Sequence, residues 1–126
     1  MPAMNPSFTL PAIRLAIGGG AWAAPGVTGK VFGFKNIEQN HEALFMARLF
    51  AVRDVALGAG ALAASGDAGK LWWQLGVVCD LADAAAGVLS LRGGGPKVPA
   101  ILSTITAVAA AGLGVAVLGA SDTSAT

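Results

Sequence analysis

The chain has 126 residues, of which 55% are hydrophobic and 12% charged, with a formal net charge of +1. A soluble domain carries about 25% charged residues, so this deficit, with a mean hydropathy of +0.68, points to a lipid surround. The near-neutral balance supplies no basic field for nucleic acid, the lone Cys79 excludes an intrachain disulfide or multi-cysteine metal site, and the lone His41 excludes a bis-histidine haem centre within one chain.

Four apolar segments follow one another, at 8–24, 43–64, 71–91 and 98–120. Each is close to the ~20 residues that cross ~30 Å of hydrocarbon as a helix. Strand alternation is absent, and inside lipid only helices satisfy such a backbone. The expected fold is therefore all-α: one domain, an integral membrane bundle of four transmembrane helices.

The first segment has no basic residue ahead of it and holds Arg14 within it. It therefore reads as a span and not as a cleaved leader. Gly18-Gly19-Gly20 is not a phosphate loop, because no strand precedes it and no Gly-Lys-Ser/Thr follows. Pro25-Gly26 is expected to end this helix. The stretch 27–42 carries Lys30, Lys35, Glu38 and Glu42 around Phe32 and Phe34 and reads as an interfacial connection.

The second segment carries Arg48, Arg53 and Asp54, with Gly58 and Gly60 as small packing residues. The run 65–69 reads as a tight turn. The third segment holds Asp80 and Asp83, three apart and so on one helix face. It also holds Gly76, Gly87 and Cys79, the last read as a small buried residue. The link 92–97 is rich in glycine. The fourth segment has no charge, and Ser103, Thr104 and Thr106 can bond to carbonyls of their own helix. The polar tail 121–126 is expected to fray.

The first and third links hold Lys30, Lys35, Arg92 and Lys97, whereas the second holds only Lys70. The positive-inside rule then puts the first and third links in the cytoplasm and both termini outside an inner (plasma) membrane. Trp22 falls at the inner interface and Trp72 and Trp73 at the outer one, as aromatic belts do.

A charged side chain at mid-bilayer costs roughly 2.5–3.5 kcal/mol on insertion scales. Arg14, Arg53, Asp54, Asp80 and Asp83 lie near the midpoints of antiparallel helices and so share one depth. Two carboxylates on one face repel in low dielectric, and Arg14 and Arg53 are the cations that can separate them. Arg48 lies one turn from the cytoplasmic end, within reach of headgroups or Glu42.

The run Ala47-Arg48-Leu49-Phe50-Ala51-Val52-Arg53-Asp54-Val55-Ala56-Leu57-Gly58, followed by Asp80-Leu81-Ala82-Asp83-Ala84, resembles small actinobacterial four-helix membrane proteins. These form a family of unknown function in the broad DoxX-like grouping. The resemblance covers nearly the whole chain in layout and implies a four-helix membrane fold without an established reaction. Some DoxX-like proteins are subunits of respiratory or quinone-linked complexes, so the resemblance also implies an accessory-subunit role as an expectation.

The leading expectation is a protein without catalytic chemistry and without a cofactor. It would be an accessory or assembly subunit, or a homo-oligomer, held together by the Arg/Asp layer, with the bilayer and a second protein as its partners. The first alternative is a binder or carrier of a small amphiphile that uses the same layer as a pocket. The second is an isomerase-type membrane enzyme with Asp80 or Asp83 as acid or base. No nucleophile–base–orienter set for acyl transfer is present.

Overall fold

The computed structural model describes residues 5–124, with side chains to 120. Its regular structure is helical: α1 (Pro6–Ala23), α2 (Pro25–Val31), α3 (His41–Ala63), α4 (Gly66–Arg92) and α5 (Lys97–Ser124), with a single 3-10 turn at Ile37–Gln39. The four long helices cover the four apolar segments except Ala24 and Ala64, which end α1 and α3.

The boundaries differ from expectation in ways that side chains explain. Helix α1 starts early because the Asn5 side chain accepts from Ser7 N–H at 3.0 Å, and Pro6 occupies the first helical position, where no N–H is missed. Pro25 does not lead into irregular chain; it starts the short helix α2 in the same way. Asn40 caps α3 through Ala43 N–H at 3.1 Å. The tight turn expected at 65–69 is instead the first turn of α4, with Asp67 favourably near its N-terminus. Only Ala64 and Ser65 separate the helices, and a Cβ on Gly69 would come within 2.9 Å of the Ala64 carbonyl oxygen. The tail is helical through Ser124, and residues 125–126 lie outside the described part.

Two helices, Gly66–Arg92 and the Lys97–Ala120 part of α5, are long and apolar enough to cross a membrane. Helices α1 and α3 fall short, with Arg14 inside α1 and Arg48, Arg53 and Asp54 inside α3, while α4 carries Asp80 and Asp83 and still qualifies.

The long helices form a ring in chain order. Helix α1 packs along α3 and α4 along α5, α3 meets α4 more loosely, and α1 touches α5 to close the ring. Glycines set the two tight pairs. A Cβ on Gly18 would lie 2.7 Å from the Ala51 carbonyl oxygen and 2.9 Å from Val55 N, and one on Gly58 would lie 2.7 Å from the Pro11 carbonyl oxygen. These reciprocal approaches run α1 and α3 antiparallel with their backbones nearly touching. Gly87 against Ala100 and Thr104, and Gly114 against Val77, do the same for α4 and α5.

Burial is inverted relative to an aqueous domain. The buried apolar residues are mostly alanines (Ala21, Ala51, Ala100, Ala107, Ala111, with Leu10 and Leu57), and the buried charged residues are Asp54 and Asp80. Phe45, Met46, Val78, Leu89, Ile105 and Val115 lie on the outside.

Gly18→Ala is expected to destabilise the fold by about 1–3 kcal/mol through overpacking against α3. Gly19→Ala, which meets nothing within 4 Å, should not destabilise it and can gain up to about 1 kcal/mol from helix propensity. Unfolding midpoints of the two variants in mild detergent check this pair.

Candidate functional site

The five residues assigned to the mid-helix layer, Arg14, Arg53, Asp54, Asp80 and Asp83, pair across three helices. Arg14 on α1 donates from Nη1 to Asp80 Oδ1 at 3.0 Å and from Nη2 to Oδ2 at 2.5 Å. Arg53 on α3 donates to Asp83 Oδ1 at 3.1 Å and to Oδ2 at 2.6 Å. Both are two-bond guanidinium–carboxylate grips, the geometry that gives arginine its strength and directionality.

The two grips differ in setting. The Arg14 and Asp80 side chains are 11% and 5% exposed, whereas those of Arg53 and Asp83 are 35% and 32% exposed. Arg53 also stacks on Phe50, 4.8 Å from the ring centre, and its Nε is buried without a hydrogen-bond partner.

Arg14–Asp80 spans the diagonal of the ring. The α1 and α4 backbones do not come close to one another, so the long arginine side chain makes the connection. Gly76, one turn before Asp80, makes room for it: a Cβ there would lie 3.2 Å from Arg14 Nη2. From sequence Gly76 reads only as a packing residue. Its relation to Arg14 depends on a diagonal contact that spacing along the chain does not show.

Asp54 is the third carboxylate of the layer. It is buried, at 5% exposure, and its ion contact is Arg14 Nη1 at 3.9 Å. It accepts no hydrogen bond among the described residues. Asp80 and Asp83 were the carboxylates expected to serve as acid or base, yet both are held at two points. Asp54 is the one whose oxygens are uncommitted.

Arg48 is exposed and donates from Nε to the Trp22 carbonyl oxygen at 3.2 Å. It thereby covers an end carbonyl of α1, where a cation also opposes the helix dipole. Lys30 and Glu38 form an exposed pair at 3.4 Å that ties α2 to the 3-10 turn. Thr104 and Thr106 bond back to the Ala100 and Leu102 carbonyls at 2.6 and 2.8 Å. No group of three or more His, Cys, Asp or Glu residues suited to a metal occurs among the described residues.

Beside the layer lies a partly open cavity of about 500 Å³. Arg14, Asp54, Asp80 and Asp83 form its polar end. Its walls are apolar, from Leu10, Ile17, Phe50 and Ala107 among others, and Phe32, Phe34 and Ile37 of the connection close the far end. An apolar space of this size with a few convergent polar groups is the usual form of a small-molecule site.

Arg14→Met should destabilise the protein by about 3–5 kcal/mol, because it leaves Asp80 buried and unpaired. Arg53→Met should cost less, since Asp83 is partly exposed. Equal losses for the two variants in detergent unfolding would contradict the difference between the grips.

Comparison with protein-family models, curated proteins and solved structures finds no match to this chain.

Proposed function

We propose that the protein is a four-span membrane protein without catalytic chemistry that binds a small amphiphile in the cavity beneath its charged layer. The cavity is the observation that carries this reading: about 500 Å³, apolar along its length and charged at one end. That shape suits a ligand with a hydrocarbon body and a polar head.

The inverted burial supports the bilayer setting. Large apolar side chains face outward on all four long helices, while carboxylates are buried. Lipid rewards that arrangement and water does not. Helices α4 and α5 qualify as spans on their own. Helices α1 and α3 gain entry in this reading because their arginines are matched by acceptors before they meet lipid: Arg14 by Asp80, Arg53 by Asp83 and Arg48 by the Trp22 carbonyl.

The orientation proposed puts both termini outside. A Cβ on Gly33 in the first link would touch Val98 at the start of α5, which sets the first and third links at one end of the bundle. Lys30, Lys35, Arg92 and Lys97 cluster there, and that end is the cytoplasmic one under the positive-inside rule.

An accessory-subunit or homo-oligomeric role has one observation of its own. The Arg53–Asp83 grip is about one-third exposed at mid-helix, and a second protein surface would cover it better than lipid would.

Native mass spectrometry of the protein released from mild detergent tests the binding reading. The expected result is a retained small amphiphile that is lost when Ala47→Trp fills the cavity and kept when Ala85→Trp adds the same bulk on the outer face. Loss of the ligand from both variants, or an empty wild-type protein after reconstitution with lipid extract, would overturn it.

A further inference from the structure

The charged layer contains two guanidiniums and three carboxylates. Arg14 and Arg53 are each committed to a single carboxylate through two hydrogen bonds. That pairing neutralises Asp80 and Asp83 and leaves Asp54 as the surplus negative charge. Asp54 is more than nine-tenths buried, forms part of the cavity wall and accepts no hydrogen bond among the described residues. Its contact with Arg14 is 3.9 Å, too long for a hydrogen bond, and the same Nη1 lies 3.0 Å from Asp80. A buried carboxylate without a hydrogen-bonded partner is costly unless a cation or a proton donor reaches it.

We propose that the cavity selects an amphiphile whose polar head is a cationic nitrogen, and that the Asp54 carboxylate receives it. The inference rests on the amphiphile-binding reading above and assigns the chemical class of the head. An ammonium at this point donates to Asp54 and brings the layer to neutrality. An anionic head would meet Asp54, Asp80 and Asp83 against one lining cation, Arg14, whose charge Asp80 already matches. A neutral hydroxyl could donate one hydrogen bond and would leave the surplus charge in place. Thr106 lines the cavity as well. Its hydroxyl hydrogen is given to the Leu102 carbonyl, so its oxygen presents acceptor capacity and matches a head that only donates. The ligand body lies along Leu10, Ile17 and Phe50, towards the floor made by Phe32 and Phe34.

Three probes of equal chain length test the assignment: octylamine, octanol and octanoate, each added to the wild-type protein and to Asp54→Asn in a non-ionic detergent. The measurement is the shift of the thermal unfolding midpoint over a concentration series, which reports binding to the folded state. In the wild type the expected order is octylamine above octanol, with octanoate giving least. Asp54→Asn should lower the apparent octylamine affinity on the order of tenfold or more and leave octanol nearly unchanged. Because any effect of the amine on the micelle is common to both proteins, their difference isolates the carboxylate. Octanol and octylamine stabilising both proteins equally would overturn the assignment while leaving the cavity as an amphiphile site. A preference for octanoate would overturn it as well. No stabilisation by any probe would remove both the assignment and the binding reading. Should Asp54→Asn not fold, the order of the three probes on the wild type decides.

Discussion

The bridge from Arg14 to Asp80 is the contact on which the other features depend. Helices α1 and α3 form one close pair and α4 and α5 another, each built on glycines that let backbones meet. Between the pairs the packing is thinner. An arginine reaching across the diagonal, with two short hydrogen bonds to a carboxylate that is 5% exposed, fixes how far apart the pairs stand. Such a bridge has little to gain from burial alone, since desolvation offsets much of the attraction. Its value lies in geometry, because the wrong arrangement leaves a bare charge inside.

The cavity follows from the same spacing. Helices held apart by a guanidinium cannot also close on alanines, so the space below the bridge stays open between the charged layer and the α2 connection. The residues lining it include Ala43, Ala47, Ala86 and Ala107, side chains too short to fill the gap. The short helix α2 and the 3-10 turn then act as the floor. In the proposed reading stability and binding are coupled, because the polar end of the cavity is the group of charges that sets the frame.

Much of this was legible in the sequence. The long helices were visible as apolar runs, and the five charges that share a depth were visible from their positions along those runs. The two matched pairs were not. Helix periodicity places Asp80 and Asp83 on one face but does not say which arginine crosses to which carboxylate. The special position of Asp54 depends on that outcome. Caps and turns are less legible: Pro25 reads as an end when it also begins α2, and 65–69 reads as a tight turn when Ala64 and Ser65 alone make the reversal. The cavity had no sequence signal, because alanines that leave a space open and alanines that close one look the same.

The double-mutant cycle of Arg14→Met and Asp80→Leu is the most direct test, measured as unfolding free energy in detergent. If the diagonal bridge holds the frame, Arg14→Met leaves Asp80 bare, Asp80→Leu leaves Arg14 with only its 3.9 Å contact to Asp54, and the double variant loses less than the sum of the two. The coupling expected for groups in direct contact is about 0.5–3 kcal/mol, here at the upper end. Strict additivity would show that Arg14 and Asp80 do not depend on one another, and would contradict the account.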